Sequence, residues 1–201
     1  MRIISIVLAA LLLAACSTDS DTNNELAMEQ LELDRLEKDE YFRNGEHSPL
    51  PAEQREGFKG LPYYPFDADF VVIADFAASE SNETFKMATT KNDLRDAVRV
   101  GTLSFSVDGT ECTLTAYQFV GADHESLFLP FMDETTGSET YATGRYLDLD
   151  FTEGDTELVI DFNQAYNPYC AYNENYSCPL VPSENTLPVA IRAGEKLWEM
   201  H

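Results

Sequence analysis

Two adjacent residues, Asp108-Gly109, constrain this chain more than any others. An Asp-Gly pair accepts positive φ at both central positions of a two-residue turn, and that turn joins antiparallel strands with matching twist. On either side lie alternating runs, Val98–Val107 and Glu111–Val120. The turn sets their register: Val107 opposite Thr110, Phe105 opposite Cys112, Leu103 opposite Leu114. Cys112 then shares an apolar face with Phe105 and Leu103, and its simplest reading is a buried core thiol.

Further β-type runs follow the same style, at Phe70–Phe76, Leu127–Phe131, Tyr141–Phe151 and Glu157–Asn163, with turn residues between them. Short strands at this spacing predict a mainly β domain, an antiparallel β-sandwich or a barrel-like sheet. Asn92 to Ala97 reads as a short helical turn. A second hairpin is expected at Gly154-Asp155. It would pair Phe151 with Leu158, Leu149 with Ile160 and Leu147 with Phe162, all apolar and on one buried face. Its other face would set Asp148 against Asp161, with Asp150 beside them. Like charges opposed across a sheet are unfavourable. Arg145, a lysine, solvent or a hard cation would have to relieve them. Asp148, Asp150 and Asp161, joined by Asp133 or Glu134, are therefore a candidate Ca²⁺ set, although no EF-hand spacing is present. The competing reading is a solvated acidic face.

Ahead of the strands, Glu25 to Arg43 is rich in Leu, Glu, Lys and Met and predicts one N-terminal helix, which Gly45 can stop. Leu26, Leu33 and Leu36 form a narrow stripe, so the helix is expected to pack on the domain and not inside it. His47 to Pro65 reads as a loop, punctuated by Pro49, Pro51, Pro62 and Pro65. The length of 201 residues allows one domain, and a hydrophobic fraction of 44% is enough for a core. With 36 Asp and Glu against 13 Lys and Arg, the formal charge of −23 repels nucleic acid and excludes it as a partner.

Arg2 and the apolar run Ile3 to Leu13 have the form of a signal peptide and are too short to span a bilayer. The run ends in Leu13-Ala14-Ala15-Cys16, which resembles the bacterial lipobox. The resemblance implies a signal peptide over residues 1–15, cleavage before Cys16, and lipidation of that cysteine with diacylglycerol and palmitate. Residues 16–24 then become a lipidated cysteine and flexible tether, and residues 25–201 a single globular domain. The lipid makes the membrane a partner. Ser17 after the cysteine implies, by similarity to enterobacterial sorting, an outer-membrane protein of the bacterial cell envelope.

The densest stretch runs from Tyr141 to Lys196. It holds Gly144-Arg145-Tyr146-Leu147, then Asp161-Phe162-Asn163-Gln164-Ala165-Tyr166-Asn167-Pro168-Tyr169-Cys170-Ala171-Tyr172. Cys178-Pro179-Leu180, Glu184-Asn185 and Ala193-Gly194-Glu195-Lys196 follow. Upstream stand Ser48-Pro49-Leu50 and Phe58-Lys59-Gly60-Leu61-Pro62-Tyr63-Tyr64-Pro65. These segments resemble the bacterial family catalogued as domain of unknown function 1684, from about Leu33 to Lys196. The resemblance implies one compact domain in which Tyr141–Lys196 matters. It implies no substrate, cofactor or catalytic residue.

Within that stretch Arg145, Tyr146, Asp161, Asn163, Tyr166, Asn167 and Tyr172 are the candidate ligand-binding set, polar and aromatic groups at a strand end. The alternative is a structural loop in which Asn and Asp cap turns and tyrosine rings cover the sheet. Arg145 suits either an anionic ligand or a nearby acid. Cys170 and Cys178 read as a disulfide in an exported protein, worth about 2–3 kcal/mol for so short a loop. Zinc with His47 or His124 and a reduced pair are the rivals. Gly-x-Ser-x-Gly, His-Glu-x-x-His, the phosphate-cradling loop and the dinucleotide fingerprint are all absent. The leading expectation is a non-enzymatic envelope binding module for a small molecule, peptide or glycan, with no cofactor. A hydrolase using Asp148, Asp150 and Asp161 would need a cleft holding at least two of them. A structural or assembly lipoprotein with an envelope-protein partner would need an exposed apolar patch.

Overall fold

The computed structural model describes residues 16–81, 83–121 and 126–198. The signal peptide at residues 1–15, and His124, lie outside these described residues. The chain divides into two compact units, Met1–Glu37 and Lys38–His201.

Helix α1 spans Cys16–Asn44. The described residues are helical from Cys16 onward, ahead of Glu25, so the segment expected to be a tether is helical. No proline or glycine interrupts this stretch, and once nucleated the helix has no reason to stop. Leu26, Leu33 and Leu36 are exposed. At its far end the Gly45 N–H donates to Tyr41 O at 2.8 Å. A four-residue helix, α2 (Ala52–Arg55), interrupts the segment read as loop. Among the described residues no helix is long and apolar enough to cross a membrane.

The second unit is built on one antiparallel sheet of seven strands: β1 (Val71–Ala78), β2 (Thr84–Ala88), β3 (Leu94–Val107), β4 (Thr110–Phe119), β5 (Ser126–Phe131), β6 (Arg145–Asp150) and β7 (Glu157–Asp161). The order is β6-β5-β4-β3-β1-β7, with β2 paired to β3. This is the barrel-like alternative: a single, nearly closed sheet. The Asp108-Gly109 turn forms as expected, with φ of 50° and 74°. Val107 faces Thr110, Phe105 faces Cys112 and Leu103 faces Leu114. Cys112 is a buried core thiol beside Phe105.

β3 is long enough to serve two neighbours because it bends. Its register with β4 shifts between Arg99 and Gly101. Gly101 to Ser104 pair with β1, and Leu94 to Val98 pair with β2. A Cβ at Gly101 would collide with the Phe76 ring, so the bend needs glycine there. The helical turn expected at Asn92 to Ala97 is not present. Asn92 takes φ of 62° in a turn, and Leu94 already begins β3. The sequence reading missed β2, whose polar alternation carries a Lys86–Asp96 cross-strand ion pair at 2.6 Å.

The second expected hairpin requires correction. β6 pairs with β5, setting Leu147 against Leu129 and Leu149 against Leu127. β7 pairs with β1, setting Ile160 against Val72 and Leu158 against Ala74. The two strands lie at opposite ends of the sheet order. Asp155 is spent on its own loop: its carboxylate accepts from Thr152 N at 2.9 Å and its N–H donates to Thr152 O. That closes a wider loop and not a two-residue turn. The buried face itself is as expected, since Leu147, Leu149, Leu158, Ile160 and Phe162 all enter the core. Apolar alternation fixes the face of a strand but not its partner. The expected opposition of Asp148 and Asp161 vanishes, for Asp148 lies across from Phe128 and Asp161 across from Val71.

Candidate functional site

Most of the residues singled out from the sequence are consumed in bracing the chain to itself. Arg145, at the start of β6, is fully buried. Its Nη2 donates to Asp133 Oδ2 at 2.9 Å and to Ile191 O at 2.8 Å. Its Nη1 donates to Ala193 O, and to Glu195 O at 3.2 Å. Burial pushes the guanidinium below its ordinary pKa, and Asp133 opposes that shift. The Phe131 ring lies 5.1 Å from the guanidinium carbon. The side chain is fully buried, and only its Nε lacks a hydrogen-bond partner.

Asp161 and Asn163 form a second brace. The Asp161 carboxylate accepts from Asn163 N and Asn163 Nδ2, both at 2.9 Å. Asn163 then mimics a β-bridge to Asp67, accepting from its N–H at 2.9 Å and donating to its carbonyl at 2.8 Å. Asn167 and Tyr172 serve a third brace centred on Glu195, which sequence reasoning had left unassigned. Glu195 is fully buried. It accepts from Lys38 Nζ at 2.5 Å, Asn167 N at 2.7 Å, Tyr172 OH at 2.5 Å and Tyr63 OH at 3.5 Å. Burial, then the Glu195 charge, pushes the Tyr172 hydroxyl well above its ordinary pKa. A buried carboxylate needs such a shell of donors, so the Glu in Ala193-Gly194-Glu195-Lys196 was its only sequence trace.

Tyr146 and Tyr166 are different. They line a cleft of about 630 Å³ on the outer face of the sheet. Its floor is the end of β4, the start of β5 and the outward positions of β6; residues 166–179 form its wall. Six rings surround it: Phe119, Phe128, Tyr146, Tyr166, Tyr169 and Tyr176. They pack edge to face or tilted, with centroids 4.8 Å apart for Phe128–Tyr146 and 5.3 Å for Tyr169–Tyr176. The Tyr146 hydroxyl donates to Pro179 O, and the Tyr166 hydroxyl donates to Asp148 Oδ2 at 2.7 Å. These bonds turn polar tips aside and leave ring surface facing the space. Burial, then Asp148, raises the Tyr166 pKa, so its ring stays neutral.

Two cations also line the cleft. Lys38 Nζ lies 5.0 Å from the Tyr166 ring centroid. Arg95 Nη2 donates to Ser177 O at 2.5 Å. Lys38, Arg95, Phe119, Phe128 and Tyr176 were not marked from the sequence. They come from five separate segments, and no local pattern joins them.

The carboxylates do not converge. Asp148 borders the cleft and is bonded to Tyr166; Asp150 is exposed on the outer face; Asp161 belongs to the Asn163 brace. Among the described residues no group of three or more His, Cys, Asp or Glu side chains is placed to hold a metal ion. Cys170 and Cys178 are free thiols in this structure and not the disulfide expected. They are nonetheless adjacent, with Cys170 N–H donating to Cys178 Sγ at 3.1 Å. Two contiguous turns bring them together without a covalent link.

Comparison with known proteins gives two findings. A family model described as a protein of unknown function, DUF1684, matches residues 56–196, beginning later than Leu33. The solution NMR structure of an uncharacterised protein of Haloarcula marismortui is 40% identical, with 89% of this chain and 97% of that one covered and a TM-score of 0.68. No curated protein matches the chain.

Proposed function

The chain belongs to the DUF1684 family of proteins of unknown function, and from that premise we propose that it is a lipid-anchored envelope protein that binds a small organic anion in the aromatic cleft. The anchor is the lipid at Cys16, carried by the Leu13-Ala14-Ala15-Cys16 motif, and Ser17 after it favours the outer membrane. The observation that carries the binding reading is the cleft's composition. In a chain of formal charge −23, a space walled by six rings places two of the 13 basic residues on its lining. Rings supply apolar contact and stacking, while Arg95 supplies the charge that selects an anion, Lys38 being paired with Glu195. The ligand class is a planar or ring-bearing carboxylate or sulfonate.

The test is calorimetric titration with matched pairs, benzoate against benzamide and glucuronate against glucose. Binding of the anionic member with a loss of about tenfold or more in Arg95→Ala is expected, the range of one charge-assisted hydrogen bond. Equal behaviour of anionic and neutral members, or no binding by any, overturns the reading. The anchor is tested by palmitate labelling, which Cys16→Ser should abolish.

A second reading retains a protein partner. Ile73 and Val159 face each other across β1 and β7 and are 70% and 59% exposed. Apolar neighbours on an open sheet face suit an envelope-protein contact. Ile73→Asp should then release that partner without altering the fold.

A further inference from the structure

The wall of the cleft contains a pair of thiols whose two members differ in every respect relevant to sulfur chemistry. Cys170 sits in the single turn Tyr169–Ala171 and is half-buried; Cys178 is 6% exposed and lines the cleft. Cys170 N–H donates to Cys178 Sγ at 3.1 Å, so attack within the pair needs only a small movement. The Tyr141 hydroxyl lies 3.8 Å from Cys170 Sγ, a donor for a thiolate there. Cys178 is held from the other side, its N–H donating to Thr90 Oγ1 at 3.1 Å.

We propose that Cys170 and Cys178 are a thiol–disulfide exchange couple, Cys170 attacking and Cys178 resolving, whose partner is a small anionic disulfide docking at the 169–178 wall that carries both. The thiol chemistry rests on the two cysteines alone; the preference for an anionic partner rests on the proposed function. In the first step the Cys170 thiolate attacks one sulfur of the partner RS–SR. A Cys170–SR bond forms, the S–S bond of the partner breaks, and RS⁻ leaves to take a proton. Cys178 then loses its proton and attacks Cys170 Sγ. The Cys170–Cys178 bond forms and the second RS⁻ departs. Two protein thiols are oxidised to one disulfide and one RS–SR is reduced to two RSH. The order of attack follows from exposure, since Cys170 is half-buried and Cys178 is only 6% exposed. Acidity agrees with it: hydrogen bonds from Cys178 first, then Tyr141 and Thr90, bring Cys170 down to about 7 against its burial. Cys178 is pushed up, by Cys170 first and then by burial. Arg95 is bonded to Ser177 O, one residue from Cys178, where it meets the charge of the partner.

The experiment follows the purified full-length protein with two aromatic disulfides, dithiobis(nitrobenzoate), which is anionic, and dipyridyl disulfide, which is neutral, mapping the modified cysteines by mass spectrometry. Three results are expected. Iodoacetamide alkylation of Cys170 has its midpoint near pH 7, below the ordinary value of about 8.5. Wild-type protein releases two thiols per molecule and ends with a Cys170–Cys178 bond. Cys178→Ser releases one and retains the mixed disulfide on Cys170. A midpoint at or above 8.5 overturns the proposal. So does a pair isolated as a disulfide that millimolar glutathione leaves untouched in the folded protein, or a Cys178→Ser variant that traps nothing while wild type exchanges. If Cys178→Ser does not fold, the wild-type midpoint and stoichiometry decide alone. Arg95→Ala should slow the anionic reagent about tenfold and spare the neutral one. Equal rates in that variant remove the anionic partner and leave the exchange couple standing.

Discussion

Arg145 and Asp133 meet as an ion pair inside the protein, Nη2 to Oδ2 at 2.9 Å, with side chains 0% and 1% exposed. Removing either partner alone leaves the other charge buried without compensation. Arg145→Met and Asp133→Leu should each cost about 3–5 kcal/mol, read as a lower urea midpoint at unchanged slope. Arg145→Lys should also destabilise, because an ammonium cannot span Asp133 and three separate carbonyls. A variant of wild-type stability would show that the clasp is ornamental.

Gly194 lies where the tail crosses the sheet end. It takes φ of 75°, and an added Cβ would stand 2.5 Å from Ala165 O and 2.8 Å from Phe162 O. Gly121 has a similar φ of 86° with open space around it. Gly121→Ala should therefore cost about 1 kcal/mol for conformation alone. Gly194→Ala should cost about 3 kcal/mol, conformation and collision together. Thermal unfolding of the two variants side by side measures the difference, and equal shifts would contradict it.

Glu195 binds Lys38 at the edge of the cleft and two tyrosines within the core. Lys38→Met strips a buried carboxylate of its cation and should destabilise by about 3 kcal/mol. Glu195→Gln keeps an acceptor for part of the shell and should cost about 1–3 kcal/mol. The double variant Lys38→Met, Glu195→Gln should lose less than the sum of the two, which a double-mutant cycle reads directly.

Alkaline pH should unfold the protein abruptly. Burial raises seven of its ten tyrosines, Tyr64 and Tyr141 to about 12 and Tyr117, Tyr146, Tyr166, Tyr169 and Tyr172 also upward. The unfolded chain ionises near the ordinary value of 10.0, so above it the unfolded state binds fewer protons than the folded state. The stabilising contribution is complete below pH 10 and is lost as pH climbs through about 12. Tyrosinate absorbance and circular dichroism, followed together from pH 8 upward, should change in one coincident step. Gradual ionisation centred at 10 with the fold intact would refute it.

The fold was legible wherever a local rule was strict. Asp108-Gly109 dictated a turn type, and the register of β3 on β4 followed residue by residue. Leu147 to Phe162 announced a buried face but not the strands it would border, because alternation carries no information about partners. The candidate site was half legible for a related reason. The polar and aromatic density around Asp161–Tyr172 was real, yet polar residues that must be satisfied inside a core look the same in a sequence as polar residues awaiting a ligand. Arg145, Asn163 and Asn167 proved to be of the first kind. Tyr146 and Tyr166 line the cleft because residues from β4, β5 and the 169–178 segment fold against them, and those lie too far apart in the chain for any motif to register.

The clasp also sets a timetable. Synthesis runs toward the C-terminus, and Arg145 is made 46 to 50 residues before the carbonyls of Ile191, Ala193 and Glu195 that receive it. Until those arrive, closing the sheet would bury a guanidinium with most of its hydrogen bonds unmade. The chain is held back from committing to its native state until the segment from Ile191 to Glu195 is released.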